Sequence, residues 1–147
     1  MTKKKFEFTH KVAAQLLKKK SVQDFLKLLE HNKPYNSTKF KRMRRRWGCN
    51  AEVYINEQEQ IVIKLGGTFD LSYIPTRAIP TAYFYDSDLD EDECIRIQPL
   101  ADVSEKVRDK AYNYIEKVIG FDSDLVGCDC HEGNVGKYKN RYVVIDW

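Results

Sequence analysis

Long apolar runs are missing from this 147-residue chain. None approaches the ~20 residues that a membrane-spanning helix needs. The opening Met1-Thr2-Lys3 follows neither a secretory nor a lipidation pattern. The expectation is a soluble, cytoplasmic protein that makes no use of a membrane. Paired cysteine spacing is missing as well. Cys49, Cys94, Cys128 and Cys130 are scattered apart from a single C-x-C. Cys128, Cys130 and His131 therefore lack the C-x-x-C spacing of common zinc sites, and reduced thiols suit a cytosolic chain. The acidic run at residues 86–93 alternates Asp86, Asp88 and Asp90 in the manner of a calcium loop. It has Glu91 where such a loop needs glycine and Ile97 where it needs a terminal glutamate. It reads as a solvated acidic turn.

What the chain has is segregated charge. The net charge of +3 conceals a first third, residues 1–48, with 15 Lys or Arg against 3 acidic residues, a net of +12; the remainder carries −9. Such asymmetry points to nucleic acid or an acidic protein as a partner. The strongest basic run is Lys39, Lys41, Arg42, Arg44, Arg45 and Arg46, interleaved with Phe40 and Trp47, which could stack on bases.

Hydrophobic periodicity divides the chain further. Residues 9–19 and 21–31 read as two short amphipathic helices, with Leu16, Leu17, Phe25, Leu28 and Leu29 as core positions. Ser21 with Asp24 resembles a capping box at the second. Glu52-Val53-Tyr54-Ile55 and Gln60-Ile61-Val62-Ile63-Lys64-Leu65 read as strands around a polar turn at residues 56–59. Residues 66–80 hold Gly66, Gly67, Pro75 and Pro80 and read as loop. Residues 81–85 and 94–97 form a second strand pair about the acidic turn. Ser104 is placed to cap a helix running to about Ile119, where Gly120 stops it. Val107, Ala111, Ile115 and Val118 form its apolar stripe. The length predicts one domain of the α+β class, with a basic helical extension (1–45), a sheet (46–97) and a segment of helix and hairpin (98–147).

The last segment carries the chemistry. Residues 134–137 and 142–145 read as a hairpin with Lys139-Asn140 at its tip, where Asn tolerates a positive φ. Folding about position 140 sets Asn134 opposite Asp146 at the open end, with Asp129 on the loop that feeds it. Two carboxylates and an amide oxygen suit a hard cation such as Mg²⁺.

The order Asp129, His131, Asn134, then Ile145-Asp146-Trp147, resembles the catalytic and metal-binding loops of the protein-kinase-like superfamily, nearest its aminoglycoside and choline kinase branch. Ile61-Val62-Ile63-Lys64 resembles that superfamily's Val-Ala-Ile-Lys strand, and Gln98-Pro99-Leu100-Ala101 resembles its hinge. The resemblance implies Asp129 as the base toward a substrate hydroxyl, Asn134 and Asp146 as Mg²⁺ ligands, and Lys64 on the α and β phosphates of ATP. It further implies that hinge backbone groups around Gln98 contact adenine. It places Arg46 and Gly48 in the phosphate loop, where only Gly48 keeps a family glycine. Gly127 replaces a usual histidine, and no helix offers a glutamate for Lys64. With Trp147 one residue beyond Asp146, a minimal member is expected. Its function is phosphoryl transfer to a hydroxyl of a protein or small molecule. The alternative is an inactive, pseudokinase-like binder acting through residues 39–46.

Overall fold

A computed structural model describes residues 5–31, 38–43, 51–66, 74–75, 77–85, 94–119 and 135–145. The fold is mixed α+β: among the described residues there are a six-stranded and a two-stranded antiparallel sheet, three α-helices and a π-helical turn. The chain divides into two compact units: Met1–Thr68 with Pro80–Leu100, and Phe69–Ile79 with Ala101–Trp147. Among the described residues no helix is long and apolar enough to cross a membrane.

The first unit is a six-stranded sheet. In chain order its strands are β1 (Glu7–Phe8), β2 (Lys41–Arg42), β3 (Glu52–Asn56), β4 (Ile61–Leu65), β5 (Ala82–Phe84) and β6 (Ile95–Pro99). They lie side by side as β1-β5-β6-β4-β3-β2, every neighbour antiparallel. Strand alternation sends Ile61, Ile63, Leu65, Ile95, Ile97 and Ala82 to one face. There they meet helices α1 (Lys11–Leu17) and α2 (Lys20–Glu30) through Ala13, Leu16, Val22 and Phe25. Phe25 lies between Phe40 and Tyr54 in tilted contacts, with ring centroids 5.4 and 5.1 Å away. Residues before position 46 thus share the core of the sheet and add its two edge strands. Two-residue edges such as Glu7–Phe8 and Lys41–Arg42 carry too little alternation to announce themselves.

Local chemistry explains several boundaries. His10 caps α1, its Nδ1 accepting the Val12 N–H at 3.2 Å. Lys19, not Ser21, is the N-cap of α2 and makes no side-chain cap bond. The Ser21 hydroxyl instead donates to the Glu59 carboxylate, which overturns the capping-box expectation. Asn56 closes the β3–β4 turn: its Oδ1 accepts the Glu59 N–H at 3.1 Å and its Nδ2 donates to Glu59 Oε2 at 3.0 Å. Gln60 completes that turn at φ 58°. Leu16 and Phe25 are buried as expected. Leu17 and Leu29 only flank the core, and Leu28 is half-buried.

The second unit is built on helix α3 (Glu105–Tyr114), a π-helical turn at Ile115–Ile119, and the hairpin β7 (Val135–Tyr138) and β8 (Arg141–Val144). Ser104 occupies the α3 N-cap without a side-chain cap bond; the Asp102 carboxylate accepts the Ser104 N–H at 3.0 Å. Ala111 and Ile115 pack on Val135 and Val144. Both hairpin edges are covered. Val144 exchanges backbone bonds with Arg77 and Ile79 at 2.8 and 2.9 Å, and Lys137 with Asp102 at 3.0 and 2.8 Å. Asp102 comes so close that a Cβ on Gly136 would lie 2.8 Å from its carbonyl oxygen.

Hairpin register differs from expectation by one residue. Lys139 and Asn140 both take positive φ, 47° and 63°, the pattern of a two-residue turn that matches strand twist. The turn is therefore centred between them. Gly136 faces Val143 and Val135 faces Val144, whereas folding about position 140 sets Gly136 opposite Val144. A slip of one residue exchanges faces, so the reasoning that set Asn134 opposite Asp146 loses its premise. Both of those residues lie outside the described ones.

Candidate functional site

The central strands of the first unit are buried on both faces. Every residue of β4 and of β6 is buried. With the isoleucines turned to the helices, alternation leaves Val62 and Lys64 of β4, and Arg96 and Gln98 of β6, on the opposite face. Cross-strand register lines up Glu7, Tyr83, Arg96, Lys64 and Val53 in one row over five strands. Lys64 is 8% exposed and Arg96 3%. Lysine and arginine are almost never fully buried unless paired. Two cations stand directly opposite each other on neighbouring strands.

Polar groups surround the pair. Gln98 Nε2 donates to the Thr81 hydroxyl at 3.1 Å, both residues being buried. Thr81 is held in turn by Thr9: the Thr81 N–H donates to Thr9 Oγ1 at 2.8 Å, and its carbonyl accepts the Thr9 N–H at 2.9 Å. The Tyr83 hydroxyl donates to Glu7 Oε2 at 3.1 Å. Burial first, then the bonded and charged Glu7, pushes the Tyr83 phenol up from its ordinary value. Burial also pushes the Cys94 thiol up to about 11, with the positive charge of Arg96 opposing. Cys94 is thus a neutral thiol at physiological pH, an inert neighbour rather than a nucleophile. The face presents an ammonium, a guanidinium, a hydroxyl and an amide. Lysine and arginine only donate hydrogen bonds, so the partners of both are acceptors.

Of the residues singled out from sequence, Lys64 and Gln98 come together here, on one face of adjacent strands. Gln98 was expected beside adenine through its hinge backbone. Its side chain is tied to Thr81, and it sits opposite Val62 in the sheet ladder. In the same stretch Pro99 has no N–H and the Leu100 N–H is given to the Gln60 carbonyl at 2.8 Å. Neither of those two residues has a donor to spare for a base. Asp129, Asn134, Asp146, Arg46 and Gly48 lie outside the described residues, as do Cys128, Cys130, His131 and the acidic run at 86–93. Lys39, Lys41 and Arg42 are exposed, and Arg42 pairs with Glu52 at 3.2 Å. Among the described residues no group of three or more His, Cys, Asp or Glu stands ready to hold a metal ion.

Arg96 and Thr81 escaped the reading of the sequence. Ile95-Arg96-Ile97-Gln98 did carry the signal. Its period of two puts Arg96 and Gln98 on the side away from the isoleucines, where Lys64 also falls once β4 and β6 are paired.

No protein-family model, curated protein or solved structure matches the chain.

Proposed function

We propose that this chain is a kinase-like phosphotransferase that binds Mg·ATP and moves the γ-phosphoryl group to a hydroxyl of a protein or small molecule. One observation carries the reading. Lys64, a buried lysine, lies on a central strand of the sheet, beside β6, which ends at Pro99, one residue before the first unit's boundary at Leu100. A strand lysine followed by a hinge-like stretch is what the kinase-like resemblance calls for. Two further facts support it: β7 and β8 form a hairpin immediately after Asn134, and helix α3 packs against that hairpin.

In this reading Lys64 binds phosphate oxygens, and its burial fits the role, since a desolvated ammonium attracts an anion more strongly than one in water. Asn134 and Asp146 are the Mg²⁺ ligands, and the bound ion would neutralise charge on the phosphates. Asp129 orients the acceptor hydroxyl and takes its proton. Catalysis then rests on positioning and charge stabilisation. Asp129→Asn tests the assignment. Phosphate release or transfer from bound ATP in a single turnover should fall by roughly 100-fold or more, the scale of general-base loss, with ATP affinity unchanged. Equal loss of binding and turnover would contradict it.

A second reading, a non-enzymatic binder of nucleic acid or of an acidic protein, is favoured by the exposure of Lys11, Lys18, Lys19, Lys20 and Lys27 along α1 and α2. Affinity for RNA or DNA that falls steeply with salt, and that weakens when Arg44, Arg45 and Arg46 become Ala, would support it.

A further inference from the structure

We propose that the β7–β8 hairpin binds single-stranded nucleic acid, with Lys139 and Arg141 on phosphates and with Tyr138 and Tyr142 offering rings on which bases stack. The surface belongs to the second unit and is distinct from residues 39–46. It stands whether or not the chain binds Mg·ATP.

Charge singles the hairpin out. After position 48 the chain holds 10 basic residues against 19 acidic ones. Three of those ten, Lys137, Lys139 and Arg141, fall within five positions, and no acidic residue stands between Asn134 and Ile145. The hairpin is a basic island in the acidic part of the chain.

Register interleaves those cations with rings. Lys137 faces Tyr142 and Tyr138 faces Arg141 across the two strands, and opposed residues of an antiparallel pair project from one face. Each face of the hairpin therefore carries one cation beside one ring. Lys137 Nζ lies 5.8 Å from the Tyr142 ring centroid, and Lys139 Nζ lies 5.5 Å from that of Tyr138. Tyr114 and Arg77 extend the Tyr142 face. The Tyr114 and Tyr142 ring centroids are 5.3 Å apart, and the Arg77 guanidinium sits 5.0 Å over Tyr114. A cation on an exposed ring is held more weakly than a base stacked on the same ring. An incoming base thus displaces the lysine and leaves its ammonium beside the phosphate that the base brings.

The tip is open to a ligand and firmly supported. Lys139, Asn140 and Arg141 are exposed, and Tyr138 and Tyr142 are half-buried. Nearer its base the hairpin is bonded along both edges, Lys137 to Asp102 and Val144 to Arg77 and Ile79. A surface already in place spends little of its binding energy on ordering. Bonds from Ser104 first, then the charge of Lys137, hold the Asp102 carboxyl below its ordinary value. Lys137 shares its field with that carboxylate, so the phosphate contacts fall to the two tip cations.

The test is fluorescence anisotropy of the full chain with labelled oligo(dT) of about 12 nucleotides, over a salt series, with heparin as a second polyanion and thermal melting of each variant. Lys139→Asn combined with Arg141→Gln removes both tip charges, and asparagine suits the φ of 47° at position 139. This double variant should melt as the native chain does and weaken oligo(dT) by about tenfold or more at low salt. Its slope of log affinity against log salt should shrink by about 1.4, at roughly 0.7 per contact with a single strand. Tyr138→Leu should weaken oligo(dT) by about fivefold and leave heparin unchanged; should it unfold, the double variant alone decides. A native chain that does not bind oligo(dT), or a double variant with native affinity and slope, overturns the proposal. If that unaffected variant is accompanied by loss of binding when Arg44, Arg45 and Arg46 become Ala, nucleic acid belongs to the second reading above instead. Equal weakening of oligo(dT) and heparin by Tyr138→Leu also overturns it, since no base is then stacked on the ring.

Discussion

Strands β4 and β6 carry two faces made of alternate residues in the same ten positions, and the two faces follow opposite rules. Ile61, Ile63, Leu65, Ile95 and Ile97 face helices α1 and α2 and are sealed with Phe25 and Ala13 in a continuous apolar core. Val62, Lys64, Arg96 and Gln98 are nearly as inaccessible, and all but Val62 carry polar or charged ends. Apolar burial is non-directional and contributes about 25 cal/mol per Å², so the first face needs only volume and shape. The second face needs partners, because a buried polar group without one costs more than it gains. The two faces therefore set different demands: one is met by packing alone, the other by directed bonds such as that between Gln98 and Thr81.

The largest break in that comparison comes from the apolar side. Ile97→Ala removes buried methyl groups from the centre of the core and should cost 2–5 kcal/mol in denaturant unfolding, by the usual scale for such truncations. Ligand affinity of the folded fraction should stay unchanged. An effect on affinity with little loss of stability would mean the two faces are not separable.

On the polar side, Lys64→Met should lower Mg·ATP affinity by roughly tenfold or more, read by titration, with a smaller loss of stability than Ile97→Ala. A mutant that binds as the native chain does would remove Lys64 from the site.

The Gln98–Thr81 bond is expected to behave as a coupled pair. Gln98→Leu or Thr81→Val alone leaves a buried group without this partner and should cost about 1–3 kcal/mol. The double mutant should cost less than the sum of the two, a coupling readable in a double-mutant cycle. Strict additivity would mean the bond contributes nothing.

The smallest effect is a pH dependence. The folded Cys94 thiol keeps its proton to about 11, whereas the ordinary value is 9.0. Between those two values the unfolded chain gives up a proton that the folded chain retains, so stability falls as pH rises from 9 toward 11. Tyr83, pushed up from 10.0, acts in the same direction above that value. Cys94→Ala should flatten the part of the decline that begins near pH 9. A native stability curve level across that window would contradict the burial of the thiol.

Much of the fold could be read from pattern, for physical reasons that also explain the misses. Ile61-Val62-Ile63-Lys64 and the helical spacing of Leu16, Phe25 and Ala111 set elements of the right type near the right places, because long periodic segments declare their own partners. Strand ends depended on turn geometry. Asn56 and Gln60 closed one turn a residue later than composition suggested, and Lys139 joined Asn140 in the left-handed region, moving the hairpin register by one. The edge strands Glu7–Phe8 and Lys41–Arg42 exist only because β5 and β3 offer them a ladder, a long-range fact invisible to local propensity. Of the candidate site, Lys64 stood out as a lysine ending an apolar run. Arg96 did not, since only strand pairing reveals that it stands opposite Lys64.

The most direct test of the central claim is a titration of ATP into the purified chain with and without Mg²⁺, repeated on Asp146→Ala. Metal-dependent binding that disappears in the variant is the predicted result. Absence of binding with and without the metal would contradict a Mg·ATP site in this protein.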